Sequence, residues 1–170
     1  MEILKDKDVE GIICTPVKNE EVLDLLQKAE EMIELCKKED GIGLAAPQVG
    51  ILKNMFIRKN LRNQSFDIIF NPSFFKEGGT TNTVEGCLSY PETHFYLKRF
   101  KRIGTIYYVW NGTELIKRNE KLIGIPSFVF QHETDHLKGI TVNMKGSVID
   151  DDKLKKRTNQ AGEEMKIPNI

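Results

Sequence analysis

The chain has 170 residues, 39% of them hydrophobic, which is enough to bury one substantial core, so we expect a single domain over residues 1–170. Its 25 basic and 25 acidic residues cancel, which argues against a global charge that would draw it to DNA or to an anionic membrane. There is no signal-peptide pattern and no apolar run near the roughly 20 residues that span a bilayer. Three widely spaced cysteines are too few for a disulfide framework. We therefore expect a cytoplasmic protein.

The first predicted element is an amphipathic helix over residues 20–38. Its apolar residues recur every three or four positions, as one buried face of a helix requires. Asn19 is predicted to cap its first turn, and Gly41 to end it in a left-handed conformation. The apolar positions are Val22, Leu25, Leu26, Ala29, Met32, Ile33 and Cys36.

Small residues dominate the next segment, GIGLAAPQVG (41–50). They predict that the backbone approaches another group closely, because little side chain stands in the way. The segment also fits a loose dinucleotide-binding pattern, but that pattern must follow a strand and open a helix. Here it follows a helix and runs into Pro47, which disfavours nucleotide binding. Gln48 is the polar side chain in this segment that can both donate and accept hydrogen bonds.

Short β-branched and aromatic runs separated by turn residues predict antiparallel strands in the middle of the chain. Asn111 and Gly112 predict a hairpin that returns over residues 114–117. The basic run KRFKR (98–102) predicts a charged edge strand, with a nucleic-acid contact as the less favoured alternative. The other predicted strands are MFIR (55–58), FDIIF (66–70), residues 80–84 and TIYYVW (105–110).

The segment QHETDH (131–136) has the HExxH spacing. In a helix, His132 and His136 share one face, so their ring nitrogens can converge on one metal ion. Glu133 would stand beside that ion, where a carboxylate can take a proton from water and pass it to a leaving amine. The pattern therefore predicts metal-assisted amide hydrolysis. So short a pattern also occurs by chance in an ordinary core or solvated helix.

The segment that opens at Gly124 and Pro126 and ends at Gly139 is expected to form a helix at the centre of the fold. Pro126 is tolerated in a first helical turn, whereas the run SFVF (127–130) has weak helix propensity. Packing must therefore hold this helix, as in a buried element. A weak helix is predicted in the charged tail, residues 150–170. The expected fold class is α+β: antiparallel sheets around the HExxH helix, with an N-terminal amphipathic helix and a short C-terminal helix.

A catalytic site of this kind takes three protein ligands and a water, so a third ligand is needed. The extended pattern HExxHxxGxxH fails because Val142 stands at its final histidine. A downstream glutamate could only be Glu163 or Glu164. The favoured candidate is Cys87, whose thiolate suits borderline metals such as Fe(II) and Zn(II). The alternative is that Cys87 is a buried structural cysteine.

Three segments together, GIGLAAPQ (41–48), EGCLS (85–89) and QHETDH (131–136), resemble the peptide deformylase family in order and separation. The resemblance covers residues from about 20 to 139. It implies a hydrolase that removes the N-formyl group from the N-terminal methionine of nascent polypeptides. It also implies that Cys87, His132 and His136 hold one divalent metal ion, Fe(II) in many members, with Zn, Ni or Co as substitutes.

The resemblance further implies roles for residues around the metal. Glu133 is the implied general acid and base, and Gln48 with the backbone amide of Leu88 is the implied oxyanion hole. Gly43 and nearby backbone are implied to pair with an extended substrate as an added strand.

Substrate contacts are expected from a second group of residues. The methionine pocket is predicted to contain Ile42, Phe128 and Val129. His94 is expected to contact the substrate, because it stands where many members carry an arginine that helps hold the substrate backbone.

Several positions depart from the family pattern. Thr134 replaces an aliphatic residue inside the last motif, Thr83 replaces another, and the segment ITVNMKG (140–146) lacks the usual Phe-x-Asp. Thr83, His94 and an N-terminal segment without the family's usual pattern motivate an alternative function, a catalytically weak homologue that binds formylated or nascent peptides. A peptidase that cuts ordinary peptide bonds is a third possibility.

Four basic residues in the tail favour an ordinary solvated face. A contact with ribosomal RNA is the alternative hypothesis. These residues are Lys153, Lys155, Lys156 and Arg157.

Overall fold

The structure, a computed structural model, describes residues 1–149 and residue 170. Its first long element is α1 (Val22–Lys38), which follows a short 3₁₀ turn at Asn19–Glu21 and buries the predicted apolar face. The predicted cap is wrong, because the Asn19 side-chain oxygen accepts a hydrogen bond from the Leu115 amide at 3.0 Å. The predicted left-handed glycine is also wrong, since Asp40 takes the positive φ of 51°.

A five-stranded antiparallel sheet packs beside α1. Its strands are β1 (Gly43–Ala45), β2 (Met55–Lys59), β3 (Phe66–Lys76), β6 (Arg102–Trp110) and β7 (Leu115–Ile123), in the order β1-β2-β3-β6-β7. The Asn111 hairpin is confirmed: the Asn111 side-chain oxygen accepts hydrogen bonds from the amides of Thr113 and Glu114, both at 2.8 Å. Strand β1 was not predicted, because a three-residue run of Gly, Leu and Ala carries no strand signal of its own.

A second sheet has three strands, β4 (Thr80–Cys87), β5 (Tyr90–Phe100) and β8 (Ser147–Val148), in the order β4-β5-β8. The predicted charged edge strand is correct in part: β5 lies in the middle of this sheet, but β8 reaches it only at Phe95 and Tyr96, so the basic stretch of β5 pairs with β4 alone. Lys98 faces solvent, but Arg99 is only 2% exposed. Side chains alternate along a strand, so the two basic residues point to opposite faces.

The predicted central helix is confirmed as α2 (Ile125–His136), in which nine of twelve residues are buried. Phe130 anchors it through an edge-on contact with Phe56 of β2, with ring centres 5.2 Å apart. A single turn, α3 (Val142–Lys145), follows and leads into β8. The architecture is therefore α+β, as predicted, with α2 between the two sheets and their loops.

The helix predicted in the tail lies outside the described residues, as do the four basic residues proposed to contact the ribosome. Among residues 1–149, no helix is long and apolar enough to cross a membrane. Cys14, Cys36 and Cys87 are all buried and free of disulfides.

Candidate metal centre

Three side chains from two elements converge where β4 ends against α2. The Cys87 sulfur lies 3.4 Å from His136 Nε2, which lies 3.2 Å from His132 Nε2. All three ligand atoms lie within 4.8 Å of one another. A tetrahedral ion with metal–sulfur and metal–nitrogen bonds of about 2.3 and 2.05 Å needs ligand atoms about 3.3–3.6 Å apart. The donor set and these two distances to His136 Nε2 therefore suit a divalent metal ion such as Zn(II) or Fe(II).

Glu85 sets the protonation of His132. The Glu85 carboxylate oxygen lies 3.0 Å from His132 Nδ1, and both side chains are almost completely buried. Burial raises the pKa of Glu85, but hydrogen bonds from His132 and Arg99 outweigh it and hold that pKa well below its usual value. An ionised carboxylate can only accept, so Nδ1 carries the proton. The lone pair on Nε2 is then left to bind a metal.

Glu133 is held in a dry and unusual environment. It is 0% exposed, and neither carboxylate oxygen has a hydrogen-bond partner among the described residues. Burial raises the pKa of Glu133 far above that of an ordinary glutamate. Burial and the neighbouring His132 lower the pKa of His136, which keeps that ring neutral. A neutral imidazole is the form that binds metals.

The loop with small residues places Gln48 beside the cluster. The Gln48 side-chain oxygen accepts a hydrogen bond from the Ala45 amide at 2.8 Å, so its amide nitrogen points the other way. That nitrogen lies 3.2 Å from Ser89 Oγ and 3.7 Å from the Cys87 sulfur. Gln48 therefore presents an N–H donor at the edge of the candidate metal site.

The backbone around Leu88 contacts the last residue of the chain. The Leu88 amide donates to the Ile170 carbonyl at 3.1 Å, and the Ile170 amide donates to the Gly86 carbonyl at 3.3 Å. These two bonds are how an extended segment pairs with a neighbouring strand. Nearby, a surface cavity of about 430 Å³ is lined by Leu88, Ser89, Tyr90 and Pro91 together with the N-terminal segment.

The remaining predicted site residues lie around this centre with different exposures. Val129 is 2% exposed, whereas Ile42 and Phe128 are partly exposed. Gly43 touches the centre most closely, because a Cβ added there would meet Val129 at 3.0 Å and overlap the Glu133 carboxylate.

His94 and Thr134 are not members of the three-ligand cluster. His94 pairs with Gly86 across β4 and β5, and its Nδ1 is buried without a partner among the described residues. Thr134 is buried, and its hydroxyl donates to the Phe130 carbonyl at 2.7 Å. Thr134 therefore satisfies its own polar group within α2 and does not enter the ligand set.

Sequence reasoning missed three residues behind the ligands. Arg99 donates to Glu85 through two nitrogens and to Asp135 through a third. Arg99 belongs to a basic run, which is equally compatible with a solvated edge strand and with a buried ion pair. Glu85 belongs to the EGCLS motif, in which the sequence alone indicated no role for it.

Comparison with known proteins supplies the class of this site. The sequence profile of the polypeptide deformylase family matches residues 3–152. The chain belongs to this family. Peptide deformylase 1 of Clostridium perfringens is 37% identical over 111 residues, covering 65% of this chain and 74% of that protein. The peptide deformylase of Thermotoga neapolitana is 40% identical over 119 residues, covering 69% of this chain and 70% of that protein.

Solved peptide deformylases have the same fold. The Thermotoga maritima crystal structure superposes with a TM-score of 0.77 at 35% identity, covering 86% of this chain and 97% of that one. The enzyme from the Vibrio parahaemolyticus bacteriophage VP16T, in complex with actinonin, gives 0.73 at 31% identity, covering 84% of this chain and 100% of that one. Membership in this family makes the protein a metal-dependent hydrolase.

Proposed function

We propose that this deformylase-family chain removes the formyl group from the N-terminal formylmethionine of nascent polypeptides, using Cys87, His132 and His136 to hold one divalent metal ion. The observation that carries the proposal is the cluster of three ligand atoms within 4.8 Å beside a buried carboxylate without a partner. We take Fe(II) as the native metal because the family resemblance implies it; Zn, Ni or Co are the substitutes, since a thiolate with two imidazoles suits borderline metals in general.

The metal would supply Lewis-acid chemistry: a bound divalent ion polarises a carbonyl and lowers the pKa of water from about 15.7 to about 7. Glu133 takes the proton from the attacking water and delivers it to the methionine nitrogen as the formyl C–N bond breaks. Its raised pKa, caused by burial, suits a group that must both accept and return a proton. Formate and a free amino terminus are the products.

The protein's own donors stabilise the negative charge that develops on the formyl oxygen. The Gln48 side-chain nitrogen is aimed past the Cys87 sulfur by the hydrogen bond from Ala45. The Leu88 amide is the second donor in this proposal, once Ile170 has left it. Donors placed before the reaction lower the barrier because they need no reorganisation.

Substrate binding is proposed to use the backbone beside the small loop. An extended peptide pairs with the Gly43 region as an added strand, which gives affinity without reading side chains. His94 is proposed to contact this peptide. The methionine side chain enters between Ile42, Phe128 and Val129, whose apolar surfaces suit a flexible thioether.

The test combines metal content with formate release. The protein loaded with Fe(II) or Ni(II) should hold about one ion per chain and release formate from a formylmethionyl tripeptide. Cys87→Ser should lose both properties, whereas Cys14→Ala, a buried cysteine outside the cluster, should keep both. Fully loaded protein that releases no formate contradicts the proposal.

Two other activities are separated by the same assay. The family comparison does not favour a catalytically weak peptide-binding homologue. Tight binding of formylated peptides with negligible turnover would nevertheless reinstate it. Cleavage of unformylated peptides would instead indicate an ordinary metallopeptidase.

Two further proposals concern where the protein acts. We propose a cytoplasmic location, because none of the three cysteines forms a disulfide. The contact between ribosomal RNA and Lys153, Lys155, Lys156 and Arg157 concerns residues outside the described part of the chain, so charge alone supports it. Replacing all four by glutamine should weaken co-sedimentation with ribosomes, and unchanged co-sedimentation would rule the contact out.

A further inference from the structure

A chain of charged side chains runs from behind His132 to the surface. Arg99 of β5 donates from Nε to one Glu85 oxygen at 2.9 Å and from Nη2 to the other at 2.8 Å. Glu85 in turn contacts His132 at 3.0 Å. This two-point contact holds both groups in one plane, which a single hydrogen bond would not do. The orientation of the His132 ring therefore depends on where Arg99 stands.

Asp135 provides the other anchor of Arg99. The third guanidinium nitrogen, Nη1, donates to an Asp135 oxygen at 2.5 Å, and the Asp135 side chain is 8% exposed. Lys145 of α3 then contacts both Asp135 oxygens at 2.8 and 2.7 Å. Asp135 is thus held between a buried guanidinium and a partly exposed ammonium.

These contacts form a closed ring of side chains that joins helix α2 to the β4–β5 hairpin. His132 and Asp135 lie three residues apart on α2, on neighbouring positions of the helix surface. Glu85 is on β4 and Arg99 on β5, so two contacts tie α2 to the β4–β5 hairpin: Arg99 to Asp135, and Glu85 to His132. The candidate ligands are divided in the same way, with Cys87 on β4 and both histidines on α2. This ring of side chains therefore governs the spacing between Cys87 and the two histidines.

The positive and negative charges in this ring of side chains cancel. Glu85 and Asp135 are two carboxylates, and Arg99 and Lys145 are two cations. Removing one member of a buried charge set leaves its partner uncompensated, so the remaining groups rearrange. Neutralising Asp135 would release Nη1 and let the guanidinium rotate about its contact with Glu85. His132 would then lose the fixed orientation of its acceptor.

We propose that Asp135 is a positioning residue for the metal centre: with Lys145 it holds Arg99 in its two-point contact with Glu85, and so sets the His132 ring and the Cys87–histidine spacing. The inference rests on the proposed metal site. Its test therefore measures metal binding directly, apart from formate release.

The chain offers a matched control. Arg58 of β2 is also buried and also contacts two carboxylates. Both contacts come from its Nη2, to Asp67 at 3.0 Å and to Glu120 at 2.9 Å. Asp67→Asn leaves Arg58 with one carboxylate, just as Asp135→Asn leaves Arg99 with one. A purely structural effect of losing such a pair should therefore look alike in both variants.

The experiment measures Zn(II) affinity by chelator competition and the visible absorption spectrum of the Co(II) form. Asp135→Asn should weaken Zn(II) binding about tenfold and change the Co(II) spectrum, because groups that orient ligands typically contribute 10–100-fold to affinity. Lys145→Met should weaken binding about threefold, since its ammonium is farther out and partly exposed. Asp67→Asn should leave affinity and spectrum unchanged. Asp135→Glu, which keeps the charge, should recover part of the loss.

The outcomes separate the inference from the proposed site. Wild-type affinity and spectrum in Asp135→Asn, with a thermal destabilisation like that of Asp67→Asn, would show a structural role only. If Asp135→Asn does not fold, Lys145→Met decides, and unchanged affinity there overturns the inference. If the wild-type protein binds no metal, or if the Cys87→Ser variant binds metal as tightly as the wild type, the proposed site and the inference are both wrong.

Discussion

Gly43 of β1 lies so close to Glu133 of α2 that a methyl group at position 43 would overlap the Glu133 carboxylate. The same methyl group would meet Val129 at 3.0 Å. The strand thus approaches the helix where a side chain would displace the proposed proton carrier. Glycine is required at this position by the close contact, since the backbone there is ordinary β1 geometry.

Replacing this glycine should therefore damage catalysis more than metal binding. Gly43→Ala is expected to shift the Glu133 carboxylate and lower kcat about 100-fold, because small misplacements in an active site have effects of that size. Metal content should stay near one ion per chain. Gly79→Ala is the control, because nothing lies within 4 Å of a Cβ at that position. A Gly43→Ala protein with wild-type kcat would show that the Glu133 carboxylate moves aside without loss of function.

Glu133→Gln tests the proton transfer with almost no change in shape. Formate release should fall by roughly 10²–10⁴, the usual contribution of a positioned acid or base. The free energy of unfolding should not decrease, because a neutral amide costs less to bury than a carboxylate with no partner. Steady-state kinetics and urea unfolding measure the two effects. Retention of more than about a tenth of wild-type kcat would assign the proton to another group.

Ile170 competes with the substrate if the Leu88 amide serves the formyl oxygen. Ile170 is 1% exposed, so Ile170→Asp places a charge where burial is costly and should expel the residue. KM for a formylmethionyl peptide should then fall about threefold with kcat unchanged, because a larger fraction of the protein is ready to bind. Ile13→Asp, at a position that is 78% exposed, is the control. An unchanged KM would show that Ile170 does not restrict the site.

Two core thiols should be unreactive in the folded protein. Burial raises the pKa of Cys14 from 9.0 to about 11, and burial together with Glu133 raises that of Cys36 to about 12. At pH 8 only about one Cys14 in a thousand is then a thiolate, so iodoacetamide should label both residues at least 100-fold more slowly than in denatured protein. Mass spectrometry of quenched samples measures the rates. Equal rates in folded and denatured protein would contradict the burial.

The same thiols predict how stability changes in alkaline solution. The folded state keeps both protonated, whereas in the unfolded chain they ionise near pH 9. Their contribution is therefore complete below pH 9 and is lost as the pH rises through about 11 and 12. Urea unfolding at pH 8 and pH 10.5 should show lower stability at the higher pH. Cys14→Ala should reduce this pH dependence.

Local patterns were sufficient for most elements and for two of the candidate ligands. The apolar spacing of α1 and the β-branched runs of β2 and β6 need only the nearest few residues. His132 and His136 meet because four residues make about one helical turn, which any helix at that position would produce. Cys87 was reached by comparing the possible third ligands and was supported by the resemblance of its motif, since no local rule joins it to α2.

Other features needed the folded chain. Alternation along β5 shows that Lys98 and Arg99 face opposite ways, but it does not say which one is buried. That choice depends on Glu85, which is 14 residues away, and on Asp135, which is 36 residues away. The contact of Gly43 with Glu133 likewise joins elements about 90 residues apart in the sequence.

By itself, the sequence determined the α+β class and the HExxH helix and proposed the three candidate metal ligands, because these follow from short-range periodicity and from motifs read in order. Only the tertiary structure decided that Arg99 turns inward, that Asp135 and Lys145 complete its charge balance and that Ile170 reaches the Leu88 amide. The physical reason is that burial of a charge is favourable only when distant partners arrive to compensate it. Those partners are brought together by packing, which no local pattern records.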